Sequence, residues 1–254
     1  MNGFRAFLAK EVRETRRTWR LWVIPGILVF FGVTSPILAA VTPALLRATA
    51  ERSPGVVLRF PPPTAADAYL QYLGNLAQVA LLAVIIAGAA AVASERRAGT
   101  AVLMLTKPLS RAGFILAKAV VAVGLLAVAT AAGSALCVVT TVVLFDASRI
   151  PAFLASVGVW LALAAMFTTL MLLLSAALDR QAPAAGVGIG VYVALFVLTG
   201  FPLLRDISPA GLMAANDALL NERDVALLWP LATTVALTAA FAAAAVVVFR
   251  RKEL

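Results

Sequence analysis

The sequence predicts an all-α integral membrane protein with six transmembrane helices. Three observations carry this. Of 254 residues, 63% are apolar and 13% charged, whereas a soluble domain is about half apolar and about a quarter charged. The apolar residues run in long blocks that a soluble fold of this size has no core to hide. Six blocks, at approximately 21–46, 73–94, 117–145, 151–178, 182–204 and 225–249, each reach the roughly 20 mostly apolar residues that a crossing helix needs.

The elements follow in order. Residues 1–20 are a charged arm, and 21–254 hold the spans. The first span contains Pro25, Pro36 and Pro43, and proline frees a backbone acceptor and bends a membrane helix. Pro25 and Pro43 fall near its ends, while Pro36, beside Thr34 and Ser35, lies deep enough to shape a cavity. Residues 47–72 form a loop whose proline run blocks a helix. The third block is long enough to cross with tilt or to project from the bilayer. "DRQAP", residues 179–183, joins the fourth and fifth spans in a tight hairpin. Residues 205–224, "RDISPAGLMAANDALLNERD", offer Ser208 as a cap, Pro209 at a first helical position, and a stripe of Leu212, Met213, Leu219 and Leu220. They read as an amphipathic helix lying at the outer membrane surface, or as an ordinary structured loop.

Lysine and arginine set the orientation. Fifteen lie on the side of the N-terminal arm, residues 94–118, the "DRQAP" turn and the tail "RRKEL", against six on the other side. The acids divide five against seven. The basic side is cytoplasmic, and both termini lie there, as an even number of spans requires. This asymmetry accounts for the net charge of +9 without a nucleic-acid partner.

Several chemistries have no residues to carry them. There is no histidine, and Cys137 is the single cysteine, which removes the commonest metal ligand and any intrachain disulfide. No G-x-x-x-x-G-K-[ST], G-x-S-x-G or H-E-x-x-H occurs, so nucleotide hydrolysis through a P-loop is excluded and no enzyme is expected. The arm "MNGFRAFLAKEVRETRRTWR" is too long and too charged for a cleavable signal peptide. No acidic or basic residue is expected at membrane depth, where ion-coupled carriers place theirs. Energy for any transport therefore enters from outside the bilayer.

The segment "SERRAGTAVLMLTKPLSRAGFILAK", residues 94–118, is basic yet holds an apolar island. Gly99 permits a sharp exit from the membrane. Thr100 caps a short helix over 101–106, Pro108 discourages its continuation, and Ser110 caps the helix that becomes the third span. Val102, Leu103 and Leu105 then need cover, either from the lipid interface or from a groove on a cytoplasmic partner.

These residues resemble the stretch between the second and third spans of type-2 ATP-binding-cassette export permeases. The family pattern is acidic-basic, Gly-Thr, a leucine-rich short helix, Pro-[Leu/Val]-[Ser/Gly]-Arg, then Lys. Here it falls on Glu95, Arg96, Gly99, Thr100, Leu103, Leu105, Pro108, Leu109, Ser110, Arg111 and Lys118. The arm "FLAKEVRETRRTWR" is similar to the family's amphipathic connecting helix, with Lys10, Glu11, Arg13 and Glu14 matching. Among subgroups, "GTAVLMLTKPLSR" is similar to the permease that accompanies nitrous-oxide-reductase maturation.

The resemblance implies a half-transporter in the bacterial inner membrane. A second copy or a sister permease would pair with it, and two cytoplasmic ATPase subunits would hold ATP and Mg, so this chain binds no cofactor of its own. Val102, Leu103, Met104 and Leu105 would form the coupling helix in the ATPase groove, with Glu95, Arg96 and Arg97 as its polar rim. The arm would lie along the inner leaflet with Phe4, Phe7, Leu8 and Val12 on its apolar side, in contact with the ATPase or as a lipid anchor alone. Gly186 and Gly190 have small-xxx-small spacing. They serve the permease–permease interface, which the family builds from its first and fifth spans, or pack within the same subunit. The function expected is ATP-driven export of an apolar or amphipathic substrate. The alternatives are a non-transporting membrane anchor or assembly subunit, and a passive channel or ion-coupled carrier.

Overall fold

The computed structural model describes residues 7–13, 20–50, 62–93 and 110–251. Helix α1 covers residues 7–13. Then come α2 (Arg20–Ala50), α3 (Ala65–Asn75), a π-helical turn (Leu76–Ala80), α4 (Leu81–Ala89), α5 (Arg111–Leu144) and α6 (Ile150–Ala177). The chain ends with α7 (Gln181–Leu198), α8 (Pro202–Arg205), α9 (Ala210–Leu220) and α10 (Leu228–Arg251). No strand occurs among the described residues. Six rods are long and apolar enough to cross a membrane: Trp22–Leu46, Ala65–Ala89, Arg111–Leu144, Ile150–Ala177, Gln181–Leu198 and Leu228–Arg251, hereafter spans 1 to 6.

Local chemistry explains the boundaries, including three that differ from expectation. Span 2 starts at Ala65, well before residue 73, because Thr64 and Asp67 form a capping box. Asp67 Oδ2 accepts from the Thr64 N–H at 2.8 Å, and Asp67 N–H donates to Thr64 Oγ1. Asp67 and Gln71 break the apolar run without breaking the helix. At its far end the Val92 and Ala93 N–H groups donate to Ser175 Oγ at 2.9 and 3.0 Å, which fastens span 2 to span 4. Span 3 begins six residues early, with Ser110 Oγ accepting from Gly113 N–H at 3.0 Å, the cap read from sequence. Span 5 stops at Leu198, short of 204, and Gly200 and Pro202 turn the chain into α8. Span 1 remains helical through all three prolines.

Span 4 is the axle of the bundle. It packs on spans 2, 3, 5 and 6 and on α9; 61% of its apolar stretch is buried, against 11% for spans 5 and 6. Tyr69 of span 2 stacks on its Phe153 with centroids 4.3 Å apart. Met171 of span 4 reaches between Gly88 of span 2 and Gly188 of span 5, where a built Cβ would lie 2.7 and 2.5 Å from its side chain. Span 1 crosses span 3 closely at Gly32 and Gly133: a Cβ on Gly133 would sit 2.6 Å from the Leu28 carbonyl oxygen and 2.7 Å from the Tyr72 hydroxyl. Polar contacts line the same seam. Asn75 Nδ2 donates to Ser35 Oγ at 3.0 Å, and the Tyr72 and Ser134 hydroxyls lie 3.4 Å apart.

The segment after span 5 does form a helix, and part of its apolar stripe packs on the bundle. Ala210, Gly211, Leu212, Ala215 and Leu220 of α9 are buried, and the helix folds back against spans 2, 4, 5 and 6. Pro209 occupies the N-cap, one position earlier than expected, and Ser208 Oγ accepts from Ala210 N–H at 3.3 Å. The fold-back needs Gly211, whose Cβ would meet the Arg205 carbonyl oxygen at 2.6 Å and the Pro230 ring at 2.7 Å. Short span 5 leaves room for this helix, and burying the Leu212 stripe removes it from water. Arg149 and Glu222, both with left-handed backbone (φ 63 and 53), meet at 2.8 Å where the neighbouring loops touch.

Replacing Gly133 by Val should overpack the span 1–span 3 crossing and cost about 1–3 kcal/mol, seen as a lower unfolding temperature in detergent. Gly124→Ala on the same helix, where a Cβ meets nothing within 4 Å, should leave that temperature unchanged.

Candidate functional site

The N-terminal side of the bundle gathers the polar chemistry. On α1, Phe7 and Glu11 stand one turn apart and both are buried, while Val12 is 38% exposed. Val12 stays on the outer side, as expected of a residue facing the leaflet, whereas Phe7 turns inward together with Glu11, which has a partner there. Lys118, on the second turn of span 3, puts its Nζ 3.0 Å from Glu11 Oε2 and 3.2 Å from Oε1. Each side chain of this pair is 7% exposed. Lys10 Nζ lies 3.1 Å from Glu11 Oε1 and is more open. Among the described residues one acid–base pair is buried, close to the helix ends on this side, which the reading of the spans did not anticipate.

Aromatic rings hold this arrangement. Phe7 and Phe114 have centroids 5.3 Å apart, and Phe114 stacks on Phe249 of span 6 at 5.1 Å. Lys118 Nζ sits 5.1 Å from the Phe114 centroid, and Lys10 Nζ 5.3 Å from that of Phe7, within range of a cation–π attraction. Arg111 Nη1 donates to the Arg250 carbonyl oxygen at 2.7 Å, placing a cation on the negative end of span 6. Helix α1, the foot of span 3 and the end of span 6 thus form one knot. The sequence shows the parts, Phe7-x-x-x-Glu11 and Phe114-x-x-x-Lys118, each at one-turn spacing. A lysine flanked on both sides by apolar residues was the available signal that a carboxylate had to be near.

Above the pair lies a cavity of about 90 Å³, walled by Val84 and Gly88 of span 2, Val121, Ala122 and Leu125 of span 3 and Leu172 of span 4. Glu11, Lys118 and Thr168 supply its polar lining, and the Thr168 hydroxyl is spent on the Ala164 carbonyl at 2.8 Å.

The remaining sequence-derived sites divide. Glu14, Glu95, Arg96, Arg97, Gly99, Thr100, Val102, Leu103, Met104, Leu105 and Pro108 lie outside the described residues. Lys10 and Arg13 sit on α1 with Glu11. Gly186 and Gly190 are exposed, and a Cβ on either would meet nothing within 4 Å. Close packing within the subunit falls instead to Gly188, which the small-xxx-small pattern passed over. Span 2 lies between span 1 on one side and span 5 on the other, and both neighbours carry apolar side chains outward: Phe30, Ile37 and Val41 on span 1, and Val187, Val193 and Phe196 on span 5.

Removing one member of a buried pair strands the other. Lys118→Ala or Glu11→Ala should lower stability by about 3 kcal/mol, read as thermal unfolding in detergent together with faster protease cleavage in the arm. The exchanged pair, Glu11→Lys with Lys118→Glu, should recover part of the loss.

Residues 5–254 match the family described as ABC-2 family transporter protein. The chain is also 25% identical over 256 residues to the uncharacterized transmembrane protein YxlG of Bacillus subtilis (strain 168), an alignment covering 100% of this chain and 99% of that protein. Six membrane-length helices and a match over nearly the full chain agree: this protein belongs to the ABC-2 transporter family.

Proposed function

We propose that this chain is the permease half of an ATP-driven exporter of the bacterial inner membrane, with both termini in the cytoplasm. The observation that carries the reading is the family match over residues 5–254 in a chain without a P-loop, which leaves hydrolysis to separate subunits. Two ATPase subunits dock from the cytoplasm on the segment between spans 2 and 3. Val102, Leu103, Met104 and Leu105 fill their grooves, Glu95, Arg96 and Arg97 form the polar rim, and Gly99, Thr100 and Pro108 set the bounds of the coupling helix. Arg111 begins the helix that receives the push.

A second copy, or a sister permease, pairs through spans 1 and 5. The open glycine face at Gly186 and Gly190 supports this, because small residues let two helices approach closely. The substrate is apolar or amphipathic: the bundle offers no unpaired buried charge among the described residues that the ABC stroke would carry across. Closure of the ATPase dimer moves the coupling helices and alternates access along the permease pair, with the free energy supplied wholly by ATP on the partner.

Two measurements test this. A tagged chain drawn from its native membrane in mild detergent should bring an ATPase subunit with it, and Leu103→Asp with Leu105→Asp should lose that subunit while retaining the fold. An ATPase absent from both preparations would sink the reading. Gly186→Leu with Gly190→Leu should abolish crosslinking between permease subunits through span 5 and leave monomer stability unchanged; crosslinking at the parental level would place the pairing face elsewhere.

A further inference from the structure

We propose that the cavity beside Lys118 is a binding site for an anionic phospholipid of the leaflet on the terminal side. Its phosphodiester takes the place on Lys118 that Glu11 holds here. Three independent features of the molecule point there. First, Lys118 is buried to more than nine-tenths and its ammonium has an anion within 3.0 Å; a buried cation at the membrane edge must have one. That anion belongs to α1, a separate short helix, and not to a neighbouring span. Second, the facing ends of α1, span 3 and span 6 carry Lys10, Arg13, Arg111, Lys118, Arg250 and Arg251, with Glu11 as the acid among the described residues of these ends. Such a basic collar between membrane helices attracts acidic headgroups. Third, the collar opens on a largely apolar cavity of about 90 Å³. Its walls are aliphatic side chains from spans 2, 3 and 4, which suit a stretch of acyl chain. Val121, Ala122 and Leu125 continue from Lys118 along the same face of span 3 and form the wall that chain would follow.

Glu11 is then an internal stand-in for the lipid phosphate. When lipid binds, the carboxylate leaves Lys118 and turns toward the interface with Lys10, so α1 is held less tightly. The headgroup and Glu11 compete for one ammonium, which sets the sign of each substitution. Glu11→Gln should strengthen lipid binding, Lys118→Gln should weaken it, and Lys118→Arg should keep it.

The test uses the full-length chain in detergent micelles supplied with equal phosphatidylglycerol and phosphatidylcholine, with retained lipid counted by native mass spectrometry. The parent should retain phosphatidylglycerol in excess. Lys118→Gln should reduce that excess about fivefold, the worth of one interfacial cation, and Glu11→Gln should raise it. Ala122→Phe fills the cavity while leaving both charges in place and should also reduce it, so the test survives if Lys118→Gln fails to fold. Inorganic phosphate at millimolar concentration should not displace the lipid; displacement would mean an anion site with no use for the chain, and would overturn the proposal. Equal retention of the two lipids, or an excess that neither Lys118→Gln nor Ala122→Phe alters, would overturn it as well. No nucleotide or ATPase enters the experiment, so its failure leaves the permease reading standing.

Discussion

A bilayer gives backbone N–H and C=O groups no water to bond, so each crossing must satisfy its own. The architecture follows from that constraint. The chain stays helical even through Pro25, Pro36 and Pro43 in span 1, and it turns only at the ends of rods, as in the short connection between Ala177 and Gln181. Apolar transfer then selects the segments but does not bring them together, since lipid is as apolar as leucine. Association rests on close approach and on polar contacts. Gly32 against Gly133, Met171 between Gly88 and Gly188, Asn75 on Ser35, and Ser175 on the end of span 2 are the places where this is met.

The same constraint makes the Glu11–Lys118 pair informative. Two charges buried near the helix ends are costly to strand and roughly neutral when paired, so the pair fixes the place of α1 more than it adds stability. Lys118 and Arg111 lie on one helix, whose start directly follows the segment assigned here to ATPase docking. Lys118 fastens α1, and Arg111 fastens the end of span 6. In the proposed function, a push on the docking segment reaches span 3 at its foot, and both fastenings move with it.

Much of the fold was legible in the sequence because long apolar blocks and clustered arginines are strong signals. Six spans, the Ser110 cap and the hairpin after Ala177 could be read directly. What could not be read depended on contacts across the chain. Residues 65–72 fell in the loop read over 47–72, and only the bond of Asp67 to the Thr64 N–H shows where span 2 starts. The 210–220 helix carried a surface-like stripe, and only the brevity of span 5 and the missing side chain of Gly211 allow it to fold inward. Gly186 and Gly190 matched a packing motif, yet Gly188 between them packs within the subunit. Glu11 and Lys118 were both noted as matches to a family pattern, 107 residues apart; nothing local in either stretch says that they meet.

In the proposed function, ATP on a partner subunit changes access to the permeation path of this chain. The most direct measurement labels Gln78→Cys, an exposed position on the π-helical turn of span 2 that lines a cavity with Tyr192 and Phe196 of span 5, with a membrane-impermeant thiol reagent from the side opposite the termini. The labelling is run in sealed membranes holding the whole complex, with and without trapped ATP. The account predicts a labelling rate that differs between the two states and a difference that vanishes with Leu103→Asp and Leu105→Asp. A rate indifferent to ATP in a complex that still hydrolyses it would contradict the account.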